Sequence, residues 1–214
     1  MTPNPKSANR GATVLWVGVL AVVVVLGVVA VVLARGKGDD KPPIEDETSA
    51  ITVTGDPLPA QTSTEDPAIG ETIPTVSGTA VDGTPITIEP DGKAKVIVFM
   101  AHWCPHCQRE IPLLAEHLAE TGLPDDVEII GVATNTATNL DNYPPTSWLD
   151  RVGWDVPTLL DSPESEAYAT FGMSSFPSFL VVDADGKVVV RTSGELPVET
   201  FDQLVEAARS GQVE

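Results

Sequence analysis

The sequence predicts an α/β fold, in which a mixed central sheet carries helices on both faces, preceded by one transmembrane helix. Over residues 68–214, apolar runs of strand length alternate with amphipathic segments of helix length. Near the N-terminus, residues 11–34 contain no charged side chain. The intervening stretch is acidic and rich in proline, which separates the two parts into an anchor and a domain.

Composition limits what the chain can do. Its 214 residues suit one domain with extra segments, and 42% apolar residues are enough for a packed core. The formal net charge of −19 excludes a nucleic-acid binder that works through basic patches. The chain has 2 cysteines, Cys104 and Cys107, which excludes a disulfide framework and a four-cysteine zinc site.

We expect residues 1–11 to form a cytoplasmic stub and residues 12–34 to form a single membrane-spanning helix. At about 1.5 Å per residue, such a run crosses the ~30 Å hydrocarbon core. A cleaved signal peptide is the alternative, but its apolar region is typically about 7–15 residues and ends in small residues. Because disulfides persist outside the cytoplasm, we place the C-terminal domain on the extracytoplasmic side.

Residues 35–67 are predicted to form an acidic linker rich in Pro and Thr. Such a composition buries too little apolar surface to offset the entropy of ordering, so a flexible tether is expected. Within it, residues 51–53 suit a short strand. The domain itself is expected to cover 68–214.

The domain has the predicted order β-α-β-α-β-α-β-β-α. A continuous apolar run at 96–100 is typical of a strand buried on both faces, and the Asp183–Gly186 segment is typical of a hairpin turn. Pro163 suits the first position of a helix. The predicted elements are a strand at 96–100, a helix from 104 to about 119, a strand at 127–132, a short helix at 147–152, a brief strand at 158–160, a helix opened by 162–164 and ending near 172, strands at 178–182 and 187–191, and a helix at 197–209.

The chemistry is concentrated where the first of these strands meets its helix. Cys104 and Cys107 are separated by one helical turn, which lies within the Cα separation that a disulfide needs. Cys104 faces the free amides and the positive dipole end of the helix, which favour a thiolate, and a protonated His106 adds to this effect. Cys107 lies deeper and is placed to resolve a mixed disulfide on Cys104. Pro105 suits the first turn.

Residues 99–112 read Phe-Met-Ala-His-Trp-Cys-Pro-His-Cys-Gln-Arg-Glu-Ile-Pro. This segment resembles the active site of membrane-anchored thioredoxin-like thiol–disulfide oxidoreductases of the TlpA and ResA type. The resemblance extends over about 68–211, where Phe176-Pro177 precedes a strand, as the cis-proline of thioredoxin folds does. It implies a thioredoxin fold with an N-terminal hairpin at 75–89 and an insertion at about 134–156.

The resemblance also implies a role for each site residue. Cys104 corresponds to the nucleophile, Cys107 to the resolving thiol, and Pro177 to the residue packed against the disulfide. Glu110 matches an acidic residue near the thiols; it would exchange a proton with Cys107 and have a raised pKa if buried. Trp103, Pro105, His106 and Phe176 would tune the site, with Trp103 shielding the disulfide.

The implied activity is thiol–disulfide exchange outside the cytoplasmic membrane, without a cofactor. Its partners would be cysteine-containing secreted or membrane-exposed proteins, together with a membrane redox protein that recycles the site. The direction stays open. A TlpA-type reductase is favoured, but the Pro105-His106 dipeptide is the one found in DsbA-type oxidases, since a thiolate-stabilising histidine raises the reduction potential.

Other interpretations remain for the same residues. His102 or His106 could join the two cysteines in a copper or zinc module, because thiolate and imidazole both bind these metals. The cysteines could instead form an inert bridge in a tethered adhesion or scaffold module. Glu110 could be a solvent-exposed carboxylate on a helix face, without a role in proton transfer.

Overall fold

A computed structural model describes residues 47–62 and 65–212, and within this part of the chain eight strands form one mixed sheet with four helices against it. The strands are β1 Thr52–Thr54, β2 Thr75–Ala80, β3 Pro85–Ile88, β4 Ala94–Met100, β5 Val127–Ala133, β6 Thr158–Leu160, β7 Ser178–Val182 and β8 Val188–Ser193. The helices are α1 Pro105–Thr121, α2 Pro145–Arg151, α3 Glu166–Thr170 and α4 Val198–Ser210.

The predicted stub at 1–11 and the predicted membrane span at 12–34 lie outside the described residues. Among the helices at 47–62 and 65–212, none has the length and apolar character required to cross a bilayer.

The central strands set the position of the site. The strands run in the order β1-β2-β6-β5-β4-β7-β8, and β3 pairs with the outer side of β2. Strand β4 is parallel to β5 and antiparallel to β7, and all seven of its residues are buried. Because side chains alternate along a strand, Val96, Val98 and Met100 face one core, whereas Ile97 and Phe99 face the other.

Helices cover both faces of the sheet, as the sequence predicted. On one face, α1 and α4 bury a cluster that includes Ile111, Leu114 and Phe201 together with both cysteines. On the other face, α3 and the chain that precedes β2 bury a second cluster. The site therefore lies at the end of β4, against the first of these two cores.

Most predicted elements are confirmed within one to three residues at each end. The hairpin expected at 75–89 is present as β2 and β3, and the insertion between β5 and β6 contains α2. Helix α3 differs, because it begins at Glu166 rather than near Pro163. The Asp161 carboxylate accepts hydrogen bonds from the amides of Ser162 and Ala167, so the residues between them form a turn before the helix starts.

The structure also differs from the predicted tether at 35–67. Residues 47–62 pack on the domain: β1 pairs with β2, the Ser49 hydroxyl donates to the Leu160 carbonyl at 2.6 Å, and the Leu58 amide donates to the Thr170 carbonyl at 2.9 Å. Asp66 forms an ion pair with Arg191, whose side chain is buried. The domain therefore begins well before residue 68.

Candidate active site

The two cysteines lie at the turn between β4 and α1. Helix α1 begins at Pro105, as predicted, and Cys104 is its N-cap residue with extended backbone (φ −71°, ψ 121°). The Cys104 amide donates to the Ala101 carbonyl at 3.0 Å, which closes the turn. Among the described residues, no side chain caps the start of α1 through Cys104. Cys104 therefore lies at a helix start, where backbone amides without partners in the helix favour negative charge.

A second chain segment approaches Cys104 from the start of β7. The Cys104 thiol donates to the Phe176 carbonyl, with Sγ 3.8 Å from the oxygen. The bond between Phe176 and Pro177 is cis, which confirms the prediction from the sequence. Cys104 and Phe176, two predicted site residues from distant parts of the chain, thus meet at one sulfur, and Pro177 follows Phe176 directly.

Aromatic side chains surround this contact. The Trp103 indole donates to the Asn135 carbonyl at 2.8 Å, which fixes the ring against the insertion. Its ring meets Phe176 edge-on at 6.2 Å between centroids, and Tyr168 lies 4.7 Å from Phe176 on the other side. All three rings are only half-buried, so they form an apolar border beside Cys104 that a substrate chain can contact.

Cys107 lies below Cys104 and is fully buried. Burial raises the pKa of the Cys107 thiol far above its ordinary value; a backbone hydrogen bond with Ala101 opposes this shift, and the nearby Cys104 adds to it. Both cysteines are thiols in this structure. The arrangement therefore has one sulfur at the border of the site and a second that stays protonated until a base removes its proton.

Glu110 is the candidate base. Its side chain is buried, with 3% of the residue exposed, which contradicts the interpretation as a solvent-facing carboxylate. Oε1 accepts a hydrogen bond from the Leu196 amide at 2.7 Å, whereas Oε2 has no hydrogen-bond partner in the described chain. Burial raises the pKa of Glu110 to about 7, although the Leu196 hydrogen bond opposes the shift. A carboxyl with this pKa exchanges protons readily near neutral pH.

His106 lies on the exposed side of the turn. Its Nδ1 lies 2.5 Å from Oε1 of Glu195, a residue of the loop between β8 and α4. Arg109, one turn along α1, binds the same carboxylate. Hydrogen bonds from Arg109 and then from His106 lower the pKa of Glu195 to about 2. The predicted tuning residue is therefore part of a three-residue charge cluster.

His102 has a structural role that the sequence did not indicate. It is buried, its Nδ1 donates to the Asp141 carbonyl at 2.6 Å, and its Nε2 accepts from the Ala137 amide at 3.2 Å. Burial lowers the pKa of His102, which agrees with a neutral ring that holds the insertion. With both nitrogens engaged, His102 does not fit the copper or zinc interpretation. Over 47–62 and 65–212, no group of three or more His, Cys, Asp or Glu side chains is arranged for a metal.

A comparison with protein families identifies the family of the domain. The Redoxin family model matches residues 68–207, the segment that contains every site residue described above. The chain belongs to the Redoxin family.

Individual relatives agree with this assignment. The thiol-disulfide oxidoreductase ResA from Bacillus anthracis is 29% identical over 138 residues, which cover 64% of this chain and 74% of ResA. The solved structure of a thiol:disulfide interchange protein of the thioredoxin family from Chlorobium tepidum TLS is 27% identical, with a TM-score of 0.53, and the match covers 65% of this chain and 96% of that protein. MTB dsbF, solved in mixed oxidized and reduced forms, is 26% identical with a TM-score of 0.52, over 62% of this chain and 94% of dsbF.

These matches confirm the resemblance that the motif indicated. The Redoxin-family chain is a thioredoxin-like thiol–disulfide oxidoreductase of the ResA and TlpA type.

Sequence reasoning missed two groups near the site. Glu195 lies in a loop without a motif, 86 residues after Arg109, so only the folded chain shows its contact. Tyr143-Pro144 is a second cis peptide bond, in the insertion that His102 holds. In the sequence, Glu195 is marked only as a carboxylate in a loop after a strand, which is a weak indication of a functional residue.

Proposed function

We propose that this enzyme exchanges disulfides with cysteines of secreted or membrane-exposed proteins through Cys104 and Cys107, and that it works outside the cytoplasm on an anchor formed by residues 12–34. The reductase direction is favoured. One observation carries the assignment of roles: Cys104 keeps 6% of its surface exposed and its thiol contacts the Phe176 carbonyl, whereas Cys107 is fully buried.

Cys104, the more accessible of the two cysteines, carries out the first step. The Cys104 thiolate attacks one sulfur of a substrate disulfide, a new S–S bond joins enzyme and substrate, and the other substrate sulfur leaves as a thiolate. The amides at the start of α1 and the positive end of its dipole stabilise the attacking anion.

The second step needs a base, because burial keeps Cys107 protonated. The Glu110 carboxylate takes that proton, and the resulting Cys107 thiolate attacks Cys104. The bond between Cys104 and the substrate breaks, the second substrate thiol is released, and the enzyme is left with a Cys104–Cys107 disulfide. Two electrons have passed to the substrate, and a membrane redox partner returns them.

A DsbA-type oxidase runs the same steps in reverse, and the Pro105-His106 dipeptide favours it. Glu110 serves either direction, because the group that takes the Cys107 proton in one direction returns it in the other; the reductase is favoured by the resemblance to TlpA and ResA. The direction follows from the reduction potential. A value below about −250 mV indicates a reductase, and a value near −120 mV indicates an oxidase.

The test uses the full-length chain in detergent, equilibrated with glutathione and dithiothreitol buffers and then mixed with a peptide disulfide. We expect Cys107→Ser to accumulate a mixed disulfide with the peptide, because the resolving thiol is gone. Cys104→Ser is the matched control and should form none. Accumulation on Cys104→Ser instead would reverse the two roles, and a wild-type chain that never forms its disulfide would overturn the proposal.

A further inference from the structure

Three consecutive residues of the loop between β8 and α4 each contact a different part of the site. The Gly194 amide donates to the Pro177 carbonyl at 2.9 Å. The Glu195 carboxylate binds His106 and Arg109, and the Leu196 amide donates to Glu110. The two backbone contacts hold the loop in place, so the Glu195 side chain is delivered to a fixed position on the exposed side of the turn.

Glu195 is bound mainly by Arg109. The Arg109 Nε lies 3.1 Å from Oε1 and 3.2 Å from Oε2 of Glu195, and its Nη2 donates to Oε1 as well. Arginine stays charged at every accessible pH, so this pair holds one permanent positive charge against one negative charge. Arg109 lies in the second turn of α1, the helix whose N-cap residue is Cys104. Its positive charge is therefore held close to the helix start that carries the Cys104 sulfur.

We infer that Glu195 is a positioning residue that offsets the positive charge of Arg109 beside Cys104, and thereby lowers the oxidising power of the Cys-Pro-His-Cys site. The inference rests on the proposed function of Cys104. A thiolate is stabilised by positive charge, and stabilising the thiolate raises the reduction potential. The carboxylate reduces that stabilisation without touching either sulfur.

The other charged and titratable groups around the turn do not provide this balance. Glu110 and Cys107 are buried, and Tyr168, on α3, is uncharged as a phenol. On the exposed side of the turn, the Glu195 carboxylate pairs with the Arg109 guanidinium and also contacts Nδ1 of His106.

The experiment measures the equilibrium of the full-length chain with glutathione at neutral pH and low ionic strength, where exposed charges are screened least. We expect Glu195→Gln to shift the equilibrium toward the dithiol form by about threefold to tenfold, where tenfold corresponds to about 30 mV for two electrons. Iodoacetamide should also alkylate Cys104 faster at slightly acidic pH. Arg109→Gln should shift the equilibrium in the opposite direction, and the double variant should return close to the wild-type value.

Asp126→Asn is the matched control. Asp126 accepts hydrogen bonds from Arg209 through both carboxylate oxygens, as Glu195 does from Arg109. It precedes β5, at the sheet edge opposite the site. The equilibrium of the Asp126→Asn variant with glutathione should match that of the wild type.

The outcomes separate this inference from the proposed function. A wild-type chain that cycles normally, with no shift in Glu195→Gln or a shift toward the disulfide, would overturn the inference alone. Opposite shifts for Glu195→Gln and Arg109→Gln support it, because loss of a merely structural contact would move both variants in the same direction. In a His106→Ala background, the Glu195→Gln shift should persist; its disappearance would show that Arg109 is not the route. Failure of the wild type to cycle overturns the proposed function instead.

Discussion

Two helix starts lie at the same edge of the sheet, and they are built in opposite ways. At the turn from β6 to α3, the Asp161 carboxylate accepts hydrogen bonds from the amides of Ser162, Ala167 and Tyr168 and from the Thr134 hydroxyl. Asp161 does this from four residues before Ser165, the N-cap residue of α3. At the turn from β4 to α1, the N-cap residue is Cys104, and it makes no side-chain cap among the described residues. The amides at the start of α3 are therefore bound by a side-chain carboxylate, whereas Cys104 provides no such side-chain cap at the start of α1.

The difference between the two helix starts distinguishes a structural role from a chemical one. Free amides at a helix start are stabilised by any nearby negative charge. The Asp161 carboxylate accepts hydrogen bonds from amides at the start of α3 and so binds that helix to β6. A sulfur at a helix start carries a negative charge only as a thiolate. Local stability is incomplete where the enzyme works, which is the general expectation for functional sites.

Removing the saturated cap should have the largest effect on stability. Asp161→Ala leaves three amides and one buried hydroxyl without their acceptor, and we expect a loss of about 3–5 kcal/mol in the free energy of unfolding. Urea unfolding measures this loss. Asp202→Ala, which removes an exposed partner of His117, is the control and should change stability by less than about 1 kcal/mol. A loss of that small size for Asp161→Ala would contradict the comparison.

The buried carboxyl behind the open helix start should make stability depend on pH. The pKa of Glu110 is about 7 in the folded chain and 4.5 as its ordinary value, so the folded state holds its proton longer than the unfolded state does. The wild type should therefore lose stability as pH rises from about 4.5 through about 7, by up to about 3 kcal/mol, since one pKa unit corresponds to about 1.4 kcal/mol.

Glu110→Gln should abolish this dependence, because an amide does not ionise. Unfolding midpoints measured between pH 4 and pH 8 decide the question. Glu116→Gln changes an exposed carboxylate on the same helix and should keep the wild-type profile. An unchanged slope in Glu110→Gln would assign the dependence to another group.

The smallest effect concerns the open cap itself. Serine is among the preferred N-cap residues, so Cys104→Ser should stabilise the reduced chain by about 0.5–1 kcal/mol while abolishing exchange. Cys107→Ser places a hydroxyl in the apolar core and should destabilise it instead. Thermal unfolding under dithiothreitol compares the two variants. Equal destabilisation by both would mean that Cys104 already satisfies the start of α1.

The sequence predicted the elements whose signals are local. Continuous apolar runs located β4, β5 and β7, and the cysteine spacing located the helix start. The short strand expected at 51–53 is confirmed as β1. The packing of residues 47–62 on the domain escaped prediction because they contain few apolar side chains and are ordered by distant partners, such as Leu160 for Ser49. The late start of α3 escaped for a similar reason. Asp161 directs its carboxylate to amides six and seven residues ahead, a pattern that Pro163 concealed.

The residues of the candidate site also fall into those that the sequence predicted and those that it did not. Cys104, Cys107 and Pro177 follow from motif and spacing. The burial of Glu110 depends on how α1 packs against α4, and its contact with Leu196 joins segments 86 residues apart. Glu195 reaches the site through the same loop. No pattern along the sequence predicts either contact, because each joins residues that are far apart in the chain and meet only when it folds.

The loop at 194–196 has a consequence for attempts to move this activity between scaffolds. Because successive residues of this short stretch touch the Pro177 backbone, the exposed charge cluster and Glu110, inserting or deleting one residue would displace all three contacts at once. A graft of only the four-residue cysteine motif into a related scaffold would therefore lack the Glu195 carboxylate that offsets positive charge near the motif. Transplanting both segments together would be needed to transfer the redox character.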